Sequence, residues 1–178
     1  MILHEVLNGV SMAVPVAVLL LKAPHSQYGL SAMLSTTIHA CVSCGYHLTC
    51  ATNPSIDPAE CLGRKLDQTF IHMNAIVMAY CTSHSWRYTV GAASINTKFI
   101  RSLWLPTDTS KARRRRIFIS YVVIVAPIFL KDVWLGAKTV AILLLSISAF
   151  LLKTRINVGH TLFHCGIGVF CNELVKVL

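Results

Sequence analysis

Seven blocks of mostly apolar residues fill almost the whole chain: residues 7–22, 28–50, 66–82, 88–105, 117–130, 133–152 and 156–178. A bilayer core about 30 Å thick is crossed by roughly 20 apolar residues in a helix. Lipid offers the backbone no hydrogen-bond partner, so a spanning segment must be a helix or part of a closed barrel. A barrel would show alternating apolar and polar residues, and no such alternation dominates here. The expectation is an all-α, polytopic membrane protein: one domain over residues 1–178, built as a seven-transmembrane-helix bundle. No internal repeat is visible.

Charge agrees with this reading. Only 13% of the residues are charged and 54% are hydrophobic, whereas a soluble domain is about 25% charged. The formal net charge is +9, but the basic residues sit in the gaps between apolar blocks, which argues against nucleic acid as a partner. With seven spans, one face of the membrane carries Arg64, Lys65, Lys111, Arg113, Arg114, Arg115, Arg116, Lys153 and Arg155. The other carries Lys22, Arg87, Lys131 and Lys176. Basic loops stay in the cytoplasm, so the N-terminus is expected there and the C-terminus outside. The run Arg113–Arg116 also suits anionic lipid headgroups. The start, Met-Ile-Leu-His-Glu, lacks the basic region of a cleavable signal. Cys41 and Cys44 form one C-x-x-C with no second pair, a weak zinc-knuckle signal. A Cys50–Cys61 disulfide is a further option.

Ionisable residues inside apolar segments are costly and mark functional candidates. His160 and His164 form H-x-x-x-H, and residues four apart share a helix face. They read either as a metal pair or as hydrogen-bonded core histidines. His39 lies midway along the second block, with Ser35 one turn before it. Ser35 alone reads as a hydroxyl bonded to its own helix. Asp67 opens the third block, where an acid also suits the helix dipole. His72 follows Asp67 by five residues, off its face. His4, His25, His47 and His84 lie nearer segment ends and read as interfacial. Three histidines, His39, His160 and His164, would hold Zn2+ and leave a fourth position open to water. Zinc brings the pKa of such a water to about 7. Asp67 would orient or deprotonate it, and Ser35 would hydrogen-bond the water or a substrate oxyanion.

The order S-x-x-x-H, Asp, H-x-x-x-H across the second, third and last helices resembles the signature of the CREST superfamily, which includes alkaline ceramidases, progestin and adipoQ receptors and post-GPI-attachment phospholipases. The resemblance implies a seven-helix membrane fold, zinc on His39, His160 and His164, and Asp67 and Ser35 beside the metal. The string Ser35-Thr36-Thr37-Ile38-His39-Ala40-Cys41 is most similar to the S-T-x-x-H-A-C of the transmembrane-8 branch. The acidic, Trp-containing calcium site of alkaline ceramidases has no counterpart, since Glu5 is the one acid before Asp57. The expected activity is hydrolysis of a lipid amide or ester. The alternative is a receptor or membrane-remodelling protein in which zinc is structural. Asp67 and His160 both begin helices on the basic face, which puts the metal toward the cytoplasmic leaflet, away from a GPI-anchor substrate.

Overall fold

The computed structural model describes residues 2–53, 55, 57, 61–151 and 158–178, and every regular element among them is helical. The helices are α1 (Ile2–Ser11), α2 (Ala13–Lys22), α3 (Gln27–Thr52), α4 (Leu62–Ser83), α5 (Trp86–Leu103), α6 (Ser110–Lys131), α7 (Val133–Leu151) and α8 (Gly159–Leu174), with a 3-10 turn at Val175–Val177. α1 and α2 make one rod broken at Met12. Pro15 has no amide hydrogen for the Ser11 carbonyl, and the Met12 amide bonds Gly9 O, three residues back, at 3.2 Å in place of Asn8 O, which accepts from Ser11 Oγ. Seven rods therefore stand where the sequence has seven apolar blocks. Two of them, Leu3–Lys22 and Val133–Leu151, are long and apolar enough to cross a membrane by length and composition.

Three starts differ from the sequence reading by four residues or more, the first being α1, which begins at Ile2 rather than 7. α4 begins at Leu62 rather than 66. α6 begins at Ser110 rather than 117, so Arg113–Arg116 belong to a helix and not to a loop. The Thr109 hydroxyl caps this start by accepting from the Ala112 amide at 3.2 Å, and Lys, Ala and Arg favour helix strongly enough to carry it through the basic run. Lys153, Arg155 and the expected start of the last block at residue 156 lie outside the described residues.

Pro127 sits inside α6 without ending it. Its missing amide leaves the Val123 carbonyl unbonded within the helix, and the Tyr88 hydroxyl donates to that oxygen at 2.7 Å. The Ile124 carbonyl accepts from the Thr82 hydroxyl at 2.9 Å. The Tyr88 hydroxyl of α5 thus supplies the bond that the proline removes.

α4 is central, against α3, α5 and α6, and the α1–α2 rod packs on both α3 and α8, joining the two ends of the chain. The core gathers Leu19, Ala32, Met78, Ile124, Ile128, Leu143, Phe170 and Leu174. Polar residues are buried beside this core, and large apolar ones lie on the outside. Asn8, His47, His72, Asn96 and Thr139 are buried, while Leu21, Leu130 and Trp134 are more than four-fifths exposed. Cys50 and Cys61 stand as thiols in hydrogen-bond contact, with no disulfide between them.

Candidate metal centre

α3 carries polar residues at every fourth position: Ser35, His39, Ser43 and His47. Such a ladder drifts only slowly around the helix and turns one stripe toward α4 and α8. Each rung meets a different partner. Ser35 Oγ donates to Asn74 Oδ1 of α4 at 2.7 Å. His39 Nε2 faces Asp67 Oδ1 at 3.4 Å. Ser43 is hydrogen-bonded to Asp67. His47 reaches α8.

At that last rung three histidines converge. One ring nitrogen each from His47, His160 and His164 lies within 4.8 Å of the others, a spacing that would hold a metal ion. The ring centroids of His160 and His164 are 4.5 Å apart, and those of His47 and His160 are 4.9 Å apart. His160 and His164 pair as the H-x-x-x-H spacing leads one to expect. The third member of this group is His47, while His39 lines the adjoining cavity with His160 and His164. His39 and His47 lie eight residues apart on α3, about 12 Å along the helix axis, too far to serve one ion. His47 closes a second S-x-x-x-H, Ser43 to His47, two turns after the first. That repeat was the available signal for it.

The outer nitrogens of His47 and His164 are already occupied. His47 Nδ1 is 2.6 Å from the Glu5 carboxylate. His164 Nδ1 lies 3.0 Å from the Asn8 carbonyl and 2.8 Å from Ser11 Oγ. The Ser11 hydroxyl itself donates to the Asn8 carbonyl. A carbonyl and a carboxylate only accept, so Nδ1 is the donor in both rings and Nε2 is the atom that would meet a metal. His47 Nε2 is buried with no hydrogen-bond partner. Imidazole ligands of metals are typically held this way, with the remote N–H bonded to a carboxylate or backbone carbonyl. The residues therefore fit a metal ion. All three backing groups come from α1, and Thr161 Oγ1 donates to Asn8 Oδ1 at 2.9 Å to fix α1 against α8.

A cavity of about 80 Å³ opens beside the trio, lined by His39, Ser43, Asp67, His160 and His164 at its polar end. Ile71, Met78, Ile124, Ile167 and Phe170 wall its apolar end. Ser43, rather than Ser35, is the serine in its wall. Asp67 Oδ1 and His39 Nε2 are buried without a hydrogen-bond partner, so both confront the cavity or each other.

His72 stands apart from this site. It is fully buried, with Nδ1 2.9 Å from Ser120 Oγ and 3.1 Å from Asn96 Oδ1. One helical turn before Ser120, Arg116 binds Asp108, and Arg113 Nη1 lies 3.5 Å from Asp108 Oδ2. Arg113 is buried, so the basic run expected to meet lipid is split: Arg113 and Arg116 turn inward, while Arg114 and Arg115 are exposed.

Compared with known proteins, the chain matches no protein-family model, no curated protein and no solved structure.

Proposed function

We propose that this is a zinc-dependent hydrolase of a membrane lipid, acting on an acyl amide or ester from within a seven-helix transmembrane bundle similar to the CREST superfamily. The observation that carries the reading is the trio His47, His160 and His164, with His47 backed on Nδ1 by Glu5 and His164 by Asn8, bordered by a carboxylate and a cavity. Histidine trios with one position left to water are the usual catalytic form of zinc sites. The bundle reading is supported by the apolar exterior and the buried polar interior. Lys65 and Arg64 at the start of α4 put the trio at the basic end, consistent with a cytoplasmic N-terminus and a substrate from the cytoplasmic leaflet.

When bound, zinc supplies Lewis acidity that polarises the carbonyl and makes water nucleophilic near neutral pH. The chain's own groups do the rest. Asp67 takes the proton of the attacking water and returns it to the leaving amine or alcohol. Ser43 holds the Asp67 carboxylate from one side and His39 faces it from the other, which fixes its aim. The apolar wall from Ile71 to Phe170 takes the first carbons of the acyl chain and keeps bulk water out.

The test is a lipid panel of ceramides and glycerophospholipids, assayed with full-length protein in nanodiscs. Asp67→Asn is expected to keep its zinc and lose on the order of 10²–10⁴-fold in rate. Activity that is equal in His160→Ala and wild type would remove the proposal. One observation favours a second reading: about 80 Å³ is small beside the 300–1,000 Å³ common for ligand pockets. If zinc is stoichiometric, no lipid is cleaved and His160→Ala lowers thermal stability, the metal is a structural staple in a receptor or membrane-remodelling protein.

A further inference from the structure

A second cavity, about 170 Å³, lies between α6 and α7 and is lined by apolar side chains alone. Phe118, Val122 and Phe129 of α6 face Val140, Leu143 and Leu144 of α7 across it. At about 100° per residue, Lys111, Arg114 and Arg115 fall on the same α6 face as Phe118, Val122 and Phe129, within an arc of about 100°. Arg113 and Arg116 fall on the opposite side, where Asp108 neutralises them in part. The groove therefore has three exposed cations at one end, and none of them has an ion-pair partner among the described residues. They also crowd the first turns of a helix that has no acidic residue there, where the helix dipole favours anions and disfavours cations.

We infer that this face of α6 and α7 binds one anionic glycerophospholipid, its acyl chain in the groove and its phosphate on Lys111, Arg114 and Arg115. The length fits. Phe118 to Phe129 spans about 16 Å of helix, about half of a hydrocarbon core of roughly 30 Å, which is one leaflet's acyl chain. The arginines sit one turn beyond the groove, at headgroup depth, and form the charge-assisted pairs that phosphate oxygens accept best. The basic end is also the one expected in the cytoplasmic leaflet, where anionic lipids are concentrated. The inference rests on the membrane-bundle part of the proposed function and is independent of the metal.

The experiment uses the full chain in nanodiscs of phosphatidylcholine with one-fifth phosphatidylserine, followed by native mass spectrometry of retained lipid. Wild type is expected to retain phosphatidylserine over phosphatidylcholine on the order of tenfold, with basic residues near a charged surface each contributing severalfold. Arg114→Ala with Arg115→Ala should bring this close to parity. Val122→Trp, which fills the groove, should reduce retained lipid of both classes. Lys98→Ala with Arg101→Ala removes the same charge from α5 and should leave the preference intact. Parity in wild type would overturn the inference. So would an equal loss in the α5 variant, which would mean diffuse attraction, or a chain dimer whose interface protects the groove from lipid. Extraction of the chain from membranes by alkaline carbonate would instead overturn the bundle reading itself.

Discussion

The Glu5–His47 contact gives the sharpest test of which histidines hold the metal. His47 is buried and Glu5 half-buried, with Nδ1 and Oε2 2.6 Å apart. Removing a partner of this kind from a metal-bound histidine costs about 10–100-fold in metal affinity. Glu5→Gln keeps an acceptor oxygen but loses the charge, so it belongs at the low end, about tenfold or about 1.4 kcal/mol. Glu5→Ala leaves the imidazole N–H unpaired and belongs at the high end, about a hundredfold. His47→Ala removes a ligand and should abolish stoichiometric zinc, whereas His39→Ala should retain it. The measurement is a competition titration of detergent-solubilised protein against a chromophoric zinc chelator, with metal content from elemental analysis. Unchanged affinity in both Glu5 variants would refute the backing role. Zinc lost in His39→Ala but kept in His47→Ala would refute the trio.

Three further outcomes follow from the packing. Asp108→Ala leaves Arg113 buried without its carboxylate, and should cost about 3–5 kcal/mol in unfolding by denaturing detergent. Tyr88→Phe strands the Val123 carbonyl freed by Pro127 and should cost about 1–3 kcal/mol; Pro127→Ala in that background should recover most of the loss, since the helix then bonds Val123 O itself. A Cβ on Gly166 would stand 2.7 Å from the Ser146 Cβ, so Gly166→Ala should cost about 1–3 kcal/mol, and Ser146→Gly should restore the stability.

Much of the fold was legible because apolar length is a local property. The seven blocks became seven rods, and H-x-x-x-H became a facing pair, since both depend on spacing within one helix. The third histidine was less legible. Periodicity tells which face of α3 a residue occupies, but not how far along α3 the partner helix arrives. His39 and His47 share a stripe, and only the packing of α8 against α1 and α3 selects His47. The same limit hid Glu5, which looks like an isolated acid until α1 lies beside α3. The four consecutive arginines were legible as charge and not as direction. Being consecutive on a helix, they must diverge, and Asp108 decides which two turn inward.

Every group that backs His47 and His164 comes from the first helix, and His164 lies some 150 residues later, with Ser11 and His164 separated by 153 positions. That separation sets an order of assembly. During synthesis α1 is made long before α8 exists, with Asn8 and Ser11 still lacking their partner His164. The holding site can form only when the last helix arrives, so metal capture would report completion of the whole bundle. A ribosome-stalled chain that ends before Gly159 should insert its early helices and yet bind no zinc.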